Sequence, residues 1–528
     1  MRVIGRFGLG LGFLGQGAAG SVNLIGTPGT LGFGVGVAPS LSTGMTALTG
    51  ATDPASDNYG NYQYADGSVM CWVPKFYYRV GTGANGLAVN VIDIKGTDTY
   101  ATTALANAAG YALHRAFIDG GVEQPGFFVD KYMASKTASG TGFKASSIKN
   151  GLPLSTAAAH NPIADISAAT ATGNIYAACL DAAKGRSGIN GAKDASSSFF
   201  ASSLFIYSAL AMLATAHGQA ATSTTNCAWY SATTTNFPKG CNNNALKDAN
   251  DTSVIWESDG YSNCGKTGSA GYGGGTGNLF AKSTHNGQNC GIADLNGLEW
   301  EVSTGMTCIT TSKAITGATQ ANPCVITATG HGYTSGKLVY ISGVVGMTQL
   351  NSKVYTLTVI DANTFSVNAD STGYTAYTSG GTAVSGRFYA AKEATAMKTF
   401  TSGAAAATDH WGATGVAALM EEIVPPMFGA EGSKWGNGAN QVLSEAVSGD
   451  GYKYTGLGLP RDVNGISGAG TNLFGTDYYY QYVRDQLCPI VGGNWTGSTN
   501  AGVWSRIFDL YRADSNVAVG FRCACYPD

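Results

Sequence analysis

The sequence predicts an α+β protein with much irregular structure, which carries an inserted small all-β module and an extended Gly-rich N-terminal arm. Charged residues make up 12% of the 528 residues, whereas about 25% is usual, and the 75 glycines are about twice the usual share of that residue. A helical enzyme needs Glu, Lys, Arg and Leu to fill its helices, so this composition favours strands and turns. The hydrophobic content of 44% excludes global disorder.

Charge and hydropathy exclude several classes of partner. The chain has 30 Lys and Arg against 33 Asp and Glu, without a basic run that would follow a phosphate backbone, so no nucleic-acid partner is predicted. The longest apolar run, Leu204–Ala214, is about half of the roughly 20 residues that cross a bilayer, so no membrane insertion is predicted. The six histidines are scattered without zinc-site spacing, and no metal or other cofactor is predicted.

Residues 1–50 form the predicted arm. Glycine recurs at nearly every second position in LGLGFLGQG and again in LGFGVGVAP at Leu31–Pro39. Such a segment has too little side-chain area to bury itself, so we expect it to order against a partner protein or against copies of itself. A signal peptide that ends near Ala18-Ala19-Gly20 is an alternative, although the glycines weaken its apolar core.

The region from residue 51 to residue 304 mixes short strands with one helix. Ser68–Val80 and Phe127–Lys131 are rich in aromatic and branched residues and predict strands, as does Asn296–Val302. Ser202–Ala216 has apolar residues at helical spacing, closed by His217-Gly218, and predicts the best helix of the chain. The segment Thr222–Gly291 is polar and Gly-rich, which predicts a long loop.

Residues 305–388 differ in pattern from their surroundings. Apolar and polar residues alternate in short runs that are separated by turns at Gly330–Gly332, Asp361–Asn363 and Ser379–Gly381, which predicts an all-β module. The earlier character returns after Phe388, so we interpret the module as an insertion. The predicted organisation is therefore an arm (1–50), a domain in two parts (51–304 and 389–528) and the inserted module (305–388).

The cysteines and two glycine-rich segments resemble known functional motifs but do not meet all the requirements of those motifs. Eleven cysteines spread over a long chain do not form a small disulfide scaffold, so buried free thiols are preferred, with a Cys264–Cys290 pair as the alternative. Gly260–Thr267 matches the phosphate-loop pattern GxxxxGK[ST], but a glycine-rich stretch follows where the motif requires a helix. Gly10–Gly15 matches a dinucleotide fingerprint without an acidic residue at the required distance.

Five segments together resemble the C-type lectin fold, in the branch shared by formylglycine-generating enzymes and variable receptor-binding proteins of phages. Asp66–Val80 resembles the opening hairpin and Ala116–Lys136 the following strand. Asp294–Glu301 (DLNGLEWE), Val491–Trp495 (VGGNW) and Gly520–Cys523 (GFRC) are similar to the later signatures of this branch. The resemblance implies a lectin-like domain interrupted by the module.

The residues of these signatures also have a structural interpretation. Trp300 and Trp495 have large apolar side chains, which we expect to fill the core between short strands. Glu299 and Glu301 are expected to form hydrogen-bonded ion pairs with Arg522 that hold strands against loops. The expected structural signature therefore comprises Trp300, Glu299, Trp495, Phe521 and Arg522.

The resemblance implies a binding scaffold and not an enzyme. The enzymes of this branch have a cysteine pair before the closing signature, whereas no cysteine lies between Trp495 and Phe521 here. The calcium-binding triplets of sugar-binding lectins are absent too. In the phage proteins the stretch between the two closing strands forms the receptor-binding face, which here comprises Asn494, Thr496, Ser498, Asn500, Trp504, Ser505, Phe508, Asp509, Tyr511, Arg512 and Asp514.

The resemblance therefore predicts a phage tail fibre or tail-tip receptor-binding protein. It would be made in the host cytoplasm, attach to other tail or baseplate proteins through residues 1–50, form a homotrimer in the virion tail and bind a bacterial surface receptor. Ile341–Leu350 and Ser371–Thr382 of the module also resemble a small β-domain of phage tail proteins. The alternatives are a surface-polysaccharide hydrolase that uses a pair of Glu residues, to be tested at Glu421 and Glu422, and a secreted bacterial adhesin.

Overall fold

The structure of the protein, a computed structural model, consists mostly of sheet with few helices. It describes residues 22–166, 175–192, 194, 196–230, 238, 263–265, 279–295, 297–392, 419–426, 435, 440–462, 474, 477–495, 497 and 500–528. The α+β class with much irregular structure agrees with it, whereas a C-type lectin fold is not shown. No helix in these ranges combines the length and the apolar character needed to cross a membrane.

The described chain before the module forms short strands around one long helix. In order these elements are β1 (Met45–Ala47), β2 (Asn61–Tyr64), β3 (Val69–Pro74), β4 (Phe76–Val80), β5 (Ile92–Gly96), α1 (Thr103–Ala108), β6 (Ala112–Leu113), β7 (Ile118–Asp119), β8 (Val122–Glu123), β9 (Gly126–Asp130), β10 (Ser135–Ser139), β11 (Gly142–Ser146), α2 (Ile175–Lys184), β12 (Phe200–Ala201), α3 (Leu204–Ala220), α4 (Leu279–Lys282) and β13 (Trp300–Val302).

Helix α3 confirms the predicted helix but continues beyond the predicted end at His217-Gly218. Its residues are apolar or small on all sides, and almost the whole helix is buried, as expected of a central core helix. His217 Nδ1 accepts a hydrogen bond from Gly29 N at 3.1 Å, and its Nε2 lies 2.8 Å from the carbonyl oxygen of Asn226. These contacts hold the last turn in place and outweigh the low helix propensity of Gly218.

The module consists of antiparallel strands with a core of its own. Its strands are β14 (Met306–Ala314), β15 (Gly317–Ala318), β16 (Cys324–Thr327), β17 (Leu338–Ser342), β18 (Lys353–Val359), β19 (Thr364–Val367) and β20 (Thr382–Ala391). In β18 the side chains of Tyr355 and Leu357 are buried while Thr356 and Thr358 are exposed, which is the alternation expected of a strand with one buried face. Inward-facing residues of this kind, with Phe365 among them, form a separate apolar cluster.

The chain after the module completes sheets that begin before it. Its elements are β21 (Met420–Ile423), α5 (Gly449–Leu457), β22 (Tyr479–Gln481), β23 (Ile490–Gly492), β24 (Gly502–Phe508), β25 (Val519–Gly520) and β26 (Cys523–Cys525). One sheet has the order β1-β2-β3-β9-β26-β12, and another has the order β22-β24-β23-β13-β25. The described residues on both sides of the module therefore build one unit, which we call the body.

Residues 22–50 pack against the body and do not form the extended arm that we predicted. Ile25, Phe33 and Val35 are buried in the main core. Gly34 has a φ of +87°, and a Cβ on it would lie 2.7 Å from Nε2 of His285, so glycine allows the chain to approach the body closely. Residues 1–21 of the predicted arm, with the motif Gly10–Gly15, lie outside the described residues.

Strands β14 and β20 pair continuously from Met306↔Ala390 to Ala314↔Thr382. This two-stranded ribbon, which we call the stalk, joins the module to the body. Along its other edge β20 pairs first with β17 of the module, as far as Leu338↔Gly386, and then with β21 of the body, from Phe388↔Ile423. Arg387 is therefore the residue of β20 at which the neighbouring strand changes from module to body.

Candidate functional site

A cleft of about 440 Å³ lies where the module meets the body. We call it the junction cleft. Neighbouring residues of a strand point to opposite faces, so alternate residues of β14, β20 and β21 reach it together, and the loop before β17 closes it. Its lining comprises Ile309, Thr311, Gly332, Tyr333, Thr334, Lys337, Ser385, Arg387, Tyr389, Met420 and Glu422.

Two cations and one carboxylate meet in the junction cleft. Arg387 donates hydrogen bonds from Nε and Nη2 to the two carboxylate oxygens of Glu422 at 3.1 and 2.7 Å, and Nζ of Lys337 lies 2.6 Å from Glu422 Oε1. The hydrogen bonds from Arg387 lower the pKa of Glu422, with Lys337 adding to the effect, and the same contact raises the pKa of Arg387. Arg387 and Glu422 therefore stay ionised at neutral pH, and the basic side chains of the cluster outnumber its carboxylate by two to one.

Two tyrosine rings form the aromatic part of the lining. The guanidinium carbon of Arg387 lies 5.5 Å from the ring centroid of Tyr389, a distance at which the ring attracts the cation. Tyr333 donates its hydroxyl proton to the carbonyl oxygen of Ala383 at 2.7 Å, and burial raises the pKa of Tyr333 to about 12. The cleft therefore contains two tyrosine rings, one held by a hydrogen bond to the backbone and one beside a guanidinium.

Glu421 and Glu422 do not face each other, which removes the acid–base pair of the predicted hydrolase. They are neighbours on β21 and therefore point to opposite faces. Glu422 binds the two cations of the junction cleft, whereas Glu421 lies 3.3 Å from Arg115 and 3.0 Å from Lys453. Both carboxylates thus have structural partners, and glycoside hydrolysis needs two carboxyl groups that flank one substrate bond.

The predicted charge pairing of Arg522 is present for one of its two expected partners. Arg522 donates from Nε and Nη2 to both carboxylate oxygens of Glu301 at 2.6 Å, in a fully buried bidentate pair. Glu299 is also buried, but neither of its carboxylate oxygens has a hydrogen-bond partner among the residues that the structure describes. Burial, with a smaller contribution from the charge of Glu301, raises the pKa of Glu299 well above its usual range.

The aromatic members of the predicted signature lie in the body. Phe521 is fully buried and Trp495 is 7% exposed, in a small cluster with Met133 and Leu298. Trp300 is partly buried and packs against the main core. All three side chains therefore contribute to packing inside the body.

Some residues of the predicted receptor-binding face are buried in the structure, and others are exposed. Trp504, Ser505 and Phe508 are fully buried because β24 lies between β22 and β23, so these three residues are not on a surface. Tyr511 is 43% exposed. Asn494, Asn500, Asp509, Arg512 and Asp514 are partly exposed, while Thr496 and Ser498 lie outside the described residues.

Several interacting residues were not anticipated from the sequence. Arg186 lies 2.6 Å from Asp130 and 3.3 Å from Asp66, with all three side chains buried. The cations of the junction cleft were not anticipated either, because Lys337, Arg387 and Glu422 are far apart in the chain and form no spaced motif. Ten cysteines lie in the described ranges, and all of them are buried. Within these ranges no group of three His, Cys, Asp or Glu side chains could hold a metal ion.

Comparison with known families gives one match, within the module. Residues 321–386 match the model of the ubiquitin-activating enzyme E1 FCCH domain. The match covers the strands from β16 to the first half of β20, and therefore a small part of the 528 residues. No curated protein matches the chain.

This match contradicts the predicted identity. The matched family is one of eukaryotic ubiquitin-activating enzymes, and neither a phage tail fibre nor a C-type lectin. The prediction of a phage tail fibre or tail-tip receptor-binding protein is therefore wrong, as is its location in a virion tail. The hydrolase and adhesin alternatives are unsupported. The matched domain belongs to an enzyme but is not catalytic on its own.

Proposed function

We propose that the chain is a non-catalytic binding protein, in which the module binds a partner protein and the body carries it. The main support is that the module has its own apolar core and that β14 and β20 carry the chain from the body into the module and back. Most of the module also matches a domain that is not catalytic by itself. The predicted boundaries of the module, residues 305 and 388, are part of this proposal.

The matched name offers a specific partner. The family is a ubiquitin-activating enzyme, so the proposal commits to ubiquitin as the first partner protein. Binding to immobilised ubiquitin would be measured for the whole chain and for a variant that lacks the module. Thr310 and Gly386 are paired across the stalk, so residues 311–385 can be replaced by a short Asn-Gly turn that closes a hairpin.

We expect the whole chain to bind ubiquitin and the shortened chain to lose binding while its body still unfolds cooperatively. Failure of the whole chain to bind would overturn ubiquitin as the partner, and full binding by the shortened chain would overturn the role of the module. The non-catalytic part has a separate test, which is ATP–pyrophosphate exchange in the presence of ubiquitin. Exchange above background would favour activation of ubiquitin, the second candidate function that the match suggests.

The accessible part of the predicted contact face, around Tyr511, is retained as a second proposed contact surface of the body. Tyr511→Ala tests it in the same assay, since an aromatic ring at the centre of an interface commonly dominates its binding energy. Unchanged binding would remove this surface from the proposal. The homotrimer also stays a prediction, and native mass spectrometry of the whole chain at micromolar concentration would decide it.

A further inference from the structure

The junction cleft holds one more fixed cation than its own carboxylate neutralises. Lys337 and Arg387 both point at Glu422, and the side chain of Arg387 is 56% exposed while that of Glu422 is 24% exposed. A guanidinium presented in this way attracts a second anion from outside. The arrangement is therefore complementary to a negatively charged group of a partner.

We propose that the junction cleft binds an acidic segment of a partner protein. A carboxylate of that segment would contact Arg387 and Lys337 in competition with Glu422, and a neighbouring aromatic or aliphatic side chain would lie against Tyr333 and Tyr389. The proposal rests on the proposed binding function of the module, but not on the identity of the partner as ubiquitin.

The geometry prepares Arg387 for such contact. Its guanidinium is held by two hydrogen bonds to Glu422 and by the ring of Tyr389. A side chain that is already ordered loses little conformational entropy when a ligand binds. The cation therefore presents a defined position and not a freely rotating surface charge.

The size and lining of the junction cleft agree with a short peptide segment. Its volume of about 440 Å³ lies within the range of about 300–1,000 Å³ that is common for ligand sites. Ile309 and Met420 add apolar surface to the two tyrosine rings. An acidic residue next to an apolar one would satisfy both parts of the lining at once.

The position of Glu422 gives this inference a distinctive test. Glu422 acts as an internal competitor, because its carboxylate occupies both cations when no partner is present. Loss of Arg387 must weaken binding of an acidic ligand, whereas loss of the charge on Glu422 must strengthen it. A purely structural role of this charge cluster would make both substitutions weaken binding.

The experiment uses the whole chain and two fluorescein-labelled peptides, Gly-Glu-Phe-Glu-Gly and Gly-Lys-Phe-Lys-Gly, with fluorescence anisotropy as the readout. We expect the acidic peptide to bind at least about tenfold more tightly than the basic one, with the difference shrinking as salt is added. Arg387→Gln should weaken acidic-peptide binding about tenfold, which corresponds to one charged contact. Glu422→Gln should strengthen it severalfold.

Arg484→Gln is the matched control. Arg484 also lies on a tyrosine ring, 5.4 Å from the centroid of Tyr482, and near a carboxylate, 3.8 Å from Asp514, but it does not line the junction cleft. Its loss should leave peptide binding unchanged. The inference fails if the two peptides bind equally, if Glu422→Gln weakens binding, or if Arg484→Gln matches Arg387→Gln.

The two proposals fail separately. If ubiquitin does not bind but the acidic peptide does, with the expected effects of both substitutions, the partner named above is wrong and the acidic-segment site stands. If ubiquitin binds through the module but the peptides show no charge preference, the site inference is wrong and the binding function stands.

Discussion

The body and the module both have an apolar core, but they differ in what else holds their strands together. The body buries whole ion pairs, such as Arg522 with Glu301, which are 221 residues apart in the chain. The core cluster of the module is apolar, and its strands pair with neighbours within the same short segment. The body thus depends on contacts between distant parts of the chain, whereas the module depends on its local pattern. This difference suits a module that is carried by a stalk.

The largest expected effect is on the buried ion pair of the body. Arg522→Gln leaves the carboxylate of Glu301 buried without its cation, and breaking such a pair costs about 3–5 kcal/mol of unfolding free energy. Arg387→Gln breaks an exposed pair on the stalk and should cost no more than about 1 kcal/mol. Urea unfolding measures the stability of both variants. Equal losses of unfolding free energy would contradict the difference between the buried pair and the exposed pair.

If Arg522→Gln does not fold, a double variant still tests this contrast. Replacing both partners, Arg522→Met with Glu301→Leu, removes the buried charges together and should restore folding, since apolar residues commonly replace such pairs with little loss. Failure of the double variant to fold would show that the other hydrogen bonds of the two side chains are also required, from Arg522 to the carbonyl oxygens of Asp130 and Ala293 and from the Tyr207 hydroxyl to Glu301.

The next effect should stay within the module. Phe365→Ala removes a fully buried ring from the module core, which costs about 3–5 kcal/mol. Hydrogen exchange should increase in β16, β18 and β19 while peptides from α3 and β26 keep their protection. Ile360→Ala, at a side chain that is 56% exposed, is the control and should change stability by no more than about 0.5 kcal/mol. Equal loss of protection in the body would show that the two cores unfold as one.

The smallest effect depends on pH and has opposite signs in the two regions. Burial raises the pKa of Asp477 in the body to about 7, although a hydrogen bond from Trp504 N opposes the shift. The folded state therefore binds the proton more tightly than the unfolded state, so this group lowers stability as pH rises from about 4 to about 7. Asp477→Asn should raise unfolding free energy by on the order of 2 kcal/mol at pH 8 and have little effect at pH 4.

Asp361 of the module provides the contrast to Asp477. It is exposed, and hydrogen bonds from the backbone of Asn363 and from Thr364 lower its pKa. Its contribution to stability is therefore present above the usual pKa of Asp and is lost as pH falls. Asp361→Asn should lower stability at pH 7 and have less effect at pH 3. Thermal unfolding across this pH range measures both variants, and pH curves of the same sign would contradict the assignment.

Some elements follow from short-range patterns in the sequence. The alternation in β18 and the apolar run of α3 are properties of neighbouring residues, so both elements could be predicted without knowing what packs against them. The tight turns of the module are likewise encoded by Gly, Asn and Asp at short spacing. The strand over Asn296–Val302 was predicted too long, since β13 spans only Trp300–Val302.

The resemblance of short motifs was a weaker guide than these patterns. Trp495, Phe521 and Arg522 formed part of the predicted signature, and in the structure Trp495 and Phe521 are buried while Arg522 forms a buried ion pair with Glu301. Residues of this kind recur wherever short strands enclose a core, because large rings and paired charges satisfy such a core well. Their presence therefore did not determine a family, and the matched family of the module differs from the predicted one.

Composition, strand alternation and turn residues were enough to predict a sheet-rich chain with much irregular structure, because these are local properties of the polypeptide. The packing of residues 22–50, the loss of Trp504 and Phe508 to the interior, and the meeting of Lys337, Arg387 and Glu422 were not predictable in this way. Each depends on which distant strands become neighbours, such as β17 and β21 along one edge of β20. The sequence determines the charge and size of each side chain, but the tertiary structure decides which other side chains surround it.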